Sequence, residues 1–157
     1  MAGHVTYLGT VVANGGDAAI HQAQRETITE AMGAWPEALH DGHPVVAARL
    51  FPDAAVRASL YQSVNRPDGM GLAARVLRRL NKERLRLAAR LWRRSAGGPA
   101  RLLVGADEAA GLRSLAGAQV VAYTGGTTLI EKYSVRGKLY EVELALALGR
   151  PVVLLPQ

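Results

Sequence analysis

HVTYLGTVVANGGDAAIHQAQ, residues His4 to Gln24, carries the pattern from which the other elements are read. Its apolar run, Val5 to Val12, is rich in β-branched residues and suits a strand buried on both faces. Gly9 interrupts the run, which marks a bulge or a close backbone approach. Asn14-Gly15-Gly16-Asp17 follows as a tight turn, and Asp17 stands where a helix N-cap would. Ala18, Ile20, Ala23, Thr27, Ile28 and Ala31 then recur at helical spacing until Gly33 and Pro36 stop the helix. A strand, a glycine turn and a helix N-terminus point free backbone N–H groups and a positive dipole end at one spot. Anions bind at such a spot, although an ordinary βα turn has the same outline.

The remaining chain repeats the alternation. His40-Asp41-Gly42-His43 reads as a turn before a second strand, Pro44 to Phe51. Asp53 reads as the cap of a short helix, Ala54 to Tyr61. Leu72 to Arg94 is the strongest helical pattern, with Leu72, Val76, Leu77, Leu80, Leu87 and Leu91 among its apolar positions. Ser95 to Pro99 stops it, and Arg101 to Gly105 reads as a short strand. A helix from Ala106 to Gly117, a strand from Gln119 to Tyr123 and a second glycine loop, Thr124 to Thr128, follow. A helix from Ser134 to Leu148 and a strand from Val152 to Leu155 close the pattern. Strands alternating with helices predict an α/β fold: a Rossmann-like, open, mainly parallel sheet with helices on both faces, in one domain spanning 1–157.

Composition narrows the function classes. The chain has 157 residues, 49% hydrophobic, enough for one core. It has no cysteine, so disulfide frameworks and thiolate chemistry are excluded. No run approaches the length of a membrane span, and the N-terminal residues lack a secretory pattern. The reading is therefore cytoplasmic, with a peripheral membrane position left open. A net charge of +6 favours anionic partners.

Both glycine loops follow strands, so in a parallel sheet both fall at the C-terminal edge, where open α/β folds bind ligands. Neither has the dinucleotide or Walker spacing. Asp17 would repel a phosphate, so it suits capping, loop orientation or contact with sugar hydroxyls. His40 and His43 have no accompanying ligand set, so no metal site is read. Glu131, Glu141 and Glu143 read as surface charges, and Ser63, Ser95, Ser114 and Ser134 lack a nucleophile context. The basic helix Leu72 to Arg94 reads as a solvated face or as a peripheral contact with anionic membrane. With Trp92 as its lone aromatic, it is poorly suited to stacking single-stranded nucleic acid.

Three segments together resemble the polysaccharide pyruvyl transferase family. Tyr7-Leu8-Gly9-Thr10, with Asn14-Gly15-Gly16-Asp17-Ala18-Ala19-Ile20, resembles the family's opening strand and Asn-x-Gly-Asp loop. Val120 to Leu129, with Thr124-Gly125-Gly126-Thr127, resembles its internal glycine loop. Ala147-Leu148-Gly149-Arg150-Pro151, followed by Val152 to Gln157, resembles its leucine-glycine-lysine-proline segment, apolar strand and glutamine. Thr124 stands where the family more often carries glycine, which removes the implication of very close ligand approach there.

The resemblance implies a transferase that moves the pyruvyl group of phosphoenolpyruvate to a sugar hydroxyl in cell-surface polysaccharide biosynthesis. It implies phosphoenolpyruvate as donor substrate, no other cofactor and a saccharide acceptor, which a lipid could carry. It also implies a GT-B-like arrangement of two Rossmann-like halves, with this chain as the N-terminal half and one side of the cleft. Asn14, Gly15, Gly16 and Asp17 would form one wall, Gly125, Gly126 and Thr127 the neighbouring wall, and Asp17 is the catalytic candidate. The basic and histidine residues that hold the donor in that family belong mainly to the other half, so none is carried over. Two rival readings stand beside it: a nucleotide-sugar glycosyltransferase or epimerase-like half, and a non-catalytic module that binds membrane or nucleic acid through the basic helix.

Overall fold

A computed structural model of the chain describes residues 3–10, 15–65, 71–95, 97–124 and 139–155. The central strand β1 (His4–Thr10) leads to helix α1 (Gly15–Met32) and strand β2 (Glu37–Asp41). Helix α2 (Pro44–Leu50), strand β3 (Ala55–Ala58) and helix α3 (Leu60–Asn65) follow. The long helix α4 (Leu72–Ser95) leads through a 3-10 turn (Pro99–Leu103) to helix α5 (Ala106–Gly117) and strand β4 (Ala118–Thr124). Helix α6 (Tyr140–Ala147) and strand β5 (Val152–Leu155) complete the described elements.

The five strands form one sheet in the order β3-β2-β1-β4-β5, and every pair is parallel. The expected parallel α/β sheet is therefore present, with a Rossmann-like strand order. Alternating side chains feed two cores. Val5, Tyr7, Leu39, Val120 and Ala122 pack on one face with Ile28 of α1 and with Ala47 and Phe51 in and beside α2. Leu8, Val121 and Tyr123 pack on the other with residues of α3, α4, α5 and α6, among them Leu60, Leu85, Leu112 and Leu144. This double burial explains why β1 and β4 read as continuous apolar runs.

Gly9 does what its interruption of β1 predicted. Its φ is +76°, and the β1–β2 register shifts between Tyr7 and Thr10. A Cβ here would lie 2.6 Å from Cε2 of Tyr123, so both conformation and space require glycine.

Several element assignments change. Pro44 to Leu50 is helix, not strand, and the strand is Glu37–Asp41, which includes part of the expected turn. Proline at the first helical turn sacrifices no hydrogen bond, and the His43 carbonyl accepts the N–H groups of Val46 and Ala47. Of this apolar run only Ala47 is buried, which suits one face of a surface helix. The expected helix Ala54 to Tyr61 is split into β3 and α3, with Ser59 between them. Arg101 to Gly105 is not a strand: most of it belongs to the 3-10 turn, whose Leu103 carbonyl accepts the Arg84 guanidinium at 2.6 Å. The first helix begins at Gly15, so Asp17 lies in its first turn rather than at the N-cap. Val11, Val12, the segment 125–138 and the final Pro156-Gln157 lie outside the described residues.

Candidate functional site at the C-terminal edge of the sheet

The strand order reverses at β1. From β1 the chain builds outward through β2 to β3, then returns over the other face through α3, α4 and α5 to enter β4 on β1's opposite side. The C-terminal ends of β1 and β4 therefore lie side by side at the switch point, where parallel α/β sheets leave a crevice. The Thr124 hydroxyl fastens them by donating to the Leu8 carbonyl at 2.9 Å.

The first glycine loop is partly in view. Gly15, Gly16 and Asp17 form the first turn of α1, the element that follows β1 in the chain. Gly15 and Gly16 are exposed and Asp17 is half-buried. A Cβ on Gly15 would meet nothing within 4 Å, so packing does not demand glycine there. An exposed helix start can donate backbone N–H groups to an anion or a polar ligand. Asn14, Gly125, Gly126 and Thr127 lie outside the described residues. The structure thus places Gly15, Gly16 and Asp17 at the edge, and places β4, which leads into the second glycine loop, beside β1.

Two buried carboxylates brace this edge. Asp41, at the end of β2, is fully buried. Its Oδ2 accepts the Thr10 hydroxyl at 2.8 Å, and its Oδ1 accepts the His43 N–H at 2.6 Å. It pins the end of β1 to β2 and fixes the turn into α2. Buried and hydrogen-bonded on both oxygens, it positions the edge rather than presenting a base to solvent.

Glu141, expected on the surface, is 5% exposed. Its Oε1 accepts the Leu60 N–H at 2.7 Å, and its Oε2 accepts the Ser59 hydroxyl at 2.8 Å. The Nδ1 of His40, also buried, lies 3.4 Å from Oε1. A carboxylate from α6 thus caps the N-terminus of α3, where negative charge is favourable. Glu143, its near neighbour in α6, does remain exposed, and it pairs with Arg86. Neither buried carboxylate carries a sequence motif. The one signal is Asp41 inside His-Asp-Gly-His, which reads as turn chemistry.

Among the described residues no cluster of three or more metal-ligating side chains exists, and His40 and His43 do not converge on one. Ser63 and Ser95 donate their hydroxyls to helix carbonyls of Leu60 and Leu91, and Ser134 and Glu131 lie outside the described residues. Part of the basic α4 is tied to the body: Arg84 binds Glu108 at 2.7 Å, and Arg86 pairs with Glu83 and Glu143.

Titration within the body reflects burial. His21 is wedged between Tyr7 and Phe51, each ring centroid 4.9 Å away, and burial pushes its pKa down to about 4. Burial raises the Tyr7 and Tyr140 phenols, and the Tyr140 hydroxyl donates to the Lys82 carbonyl at 2.9 Å. A cavity of about 300 Å³ opens at the opposite, N-terminal edge, lined by His4, Glu37, Arg57, Arg113 and Ser114 among others. It lies away from the glycine loops, at the edge where parallel α/β sheets do not usually bind ligands.

Comparison with known proteins found no matching family model, no matching curated protein and no matching solved structure.

Proposed function

We propose that this chain supplies one wall of the substrate cleft of a polysaccharide pyruvyl transferase-like enzyme. One observation carries the reading. The two segments that resemble that family's glycine loops leave adjacent parallel strands, β1 and β4, at the point where the sheet order reverses. In the reaction, a sugar hydroxyl adds to the enol carbon of phosphoenolpyruvate and the neighbouring CH2 carbon takes up a proton. A second sugar hydroxyl then displaces phosphate, which leaves the pyruvyl group as a ketal. Such a sequence needs proton transfer at the hydroxyls and stabilisation of the departing anion. The first turn of α1 would offer its backbone N–H groups and the Asp17 carboxylate to the hydroxyls of the acceptor. Asn14 would extend this wall, and Gly125, Gly126 and Thr127 would build the next. The proposed GT-B-like partner half would close the cleft and bring the donor-binding cations. The setting is the cytoplasmic side of a membrane, where lipid-linked saccharides are assembled.

The test follows backbone amide resonances while phosphoenolpyruvate, a saccharide acceptor and a nucleotide sugar are added in turn at millimolar concentration. Phosphoenolpyruvate or the acceptor should shift Gly15, Gly16 and Asp17, and Asp17→Ala should weaken the acceptor response. Shifts of these amides with a nucleotide sugar and none with phosphoenolpyruvate would replace this reading with a glycosyltransferase or epimerase-like half.

A further inference from the structure

Helix α4 packs on the body mainly through its C-terminal half. Its 24 residues span roughly 36 Å at helical rise. Apart from Ala74, its buried residues are Leu85, Ala88, Ala89 and Trp92, all in the C-terminal half. Contacts with α6 set its position. Tyr140, at the start of α6, bonds Lys82, and Glu143 binds Arg86 one turn further on. The two helices therefore run side by side in the same direction. Leu72 to Asn81 therefore extends past the level of Tyr140 by roughly 15 Å.

This projecting half has two unlike sides. Leu72, Val76 and Leu80 recur every fourth residue and are 77%, 48% and 60% exposed, and Leu77 beside them is half-exposed. Arg75, Arg78, Arg79 and Lys82 occupy the neighbouring arc and line an open hollow with Asn65, Glu83 and Arg86. Across the whole helix nine cations face one acid, Glu83. A merely solvated helix face would not expose a leucine seam of this kind.

We propose that the N-terminal half of α4 docks in the interface of an anionic lipid bilayer, with the Leu72–Val76–Leu80 seam among the acyl chains and the Arg75–Lys82 arc on headgroup phosphates. Charge selects this occupant. A second copy packed seam to seam would bring together two helices that each carry nine cations and a single acid, Glu83. Nucleic acid would engage the cations and leave the leucines in water. An anionic bilayer satisfies both sides, with apolar depth beneath and negative charge at the level where arginine stems emerge. The inference is independent of the reaction proposed above.

Flotation of the intact chain with lipid vesicles tests it. Vesicles of phosphatidylcholine with about a third phosphatidylglycerol should carry the protein upward at low salt, pure phosphatidylcholine should not, and added salt should weaken retention. Replacing Arg75, Arg78 and Arg79 together with Gln should lower partitioning roughly a hundredfold, and Leu80→Asp roughly tenfold. Circular dichroism melting of each variant checks that the fold is kept, and Leu80→Ser replaces Leu80→Asp if that variant is not folded. No retention on anionic vesicles at low salt overturns the proposal. So does retention unchanged in a folded Leu80 variant, because charge alone would then be acting. A dimer in sedimentation that Leu80→Asp dissociates overturns it in favour of self-association.

Discussion

Replacing Glu141 with Ala tests whether a distant carboxylate braces the edge of the sheet. In the wild-type chain Glu141 accepts a backbone N–H from Leu60 at 2.7 Å and a hydroxyl from Ser59 at 2.8 Å, both largely shielded from water. Alanine leaves these donors without their acceptor, at about 1–3 kcal/mol each. His40 Nδ1, at 3.4 Å, adds little. Removing the charge recovers part of the cost of having buried it, which offsets some of the loss. The net expectation is a loss of about 3 kcal/mol, a large share of the roughly 5–15 kcal/mol of a typical domain. Glu141→Gln keeps an oxygen for Leu60 and lets Ser59 turn to accept, so about 1 kcal/mol is expected. Urea unfolding with an unchanged slope measures both losses, and amide exchange at Leu60 locates them. A Glu141→Ala variant within about 0.5 kcal/mol of wild type, with Leu60 still protected, would refute the bracing role.

Three further outcomes are expected. The folded-state pKa of His21, about 4, lies below the ordinary 6.5, so between these values the unfolded chain binds more protons and stability rises with pH. Acidification from pH 7 to pH 5 should cost about 2 kcal/mol, and His21→Leu should remove most of that slope; equal slopes in the two chains sink the argument. The smaller burial effect on His4 has the same sign and leaves a residue of it. Gly9→Ala combines a left-handed backbone with a 2.6 Å approach to the Tyr123 ring and should cost about 2–4 kcal/mol. An unchanged melting temperature would show that β1 can relax around a methyl group. A double-mutant cycle between Thr10→Val and Asp41→Ala should yield a coupling of about 1–2 kcal/mol, and simple additivity would deny the strand clamp.

What could be read from the sequence followed from how locally each element was specified. β1 and β4 carry dense apolar runs because they are buried on both faces, and α4 has many turns over which its period can accumulate. Glu37–Asp41 offers only Ala38 and Leu39 as apolar residues, and its identity as a strand comes from lying beside β1. Pro44–Leu50 carries the β-branched residues that strands favour, yet proline and the His43 carbonyl start a helix there. The site divides along the same line. Gly15-Gly16-Asp17 could be placed at the edge because turn chemistry is local. Glu141 could not be assigned its role, because Ser59 and Leu60 lie more than eighty positions away and only the fold brings them to it.

The two proposals converge on one end of the molecule. α4 projects past the level of Tyr140, and the same end of the sheet carries the ends of β1 and β4. A chain docked through Leu72, Val76 and Leu80 would hold that end toward the bilayer. A saccharide attached to lipid would then meet the first turn of α1 by moving in the plane of the membrane, whereas a free saccharide would have to arrive from bulk solution. The basic arc would also be occupied by headgroups. Donor-binding cations would therefore have to come from the proposed partner half, which agrees with the neutral-to-acidic character of Asn14-Gly15-Gly16-Asp17. On this reading the charges separate by role, with arginines outside for attachment, and glycine backbone and one carboxylate at the sheet edge for a neutral acceptor.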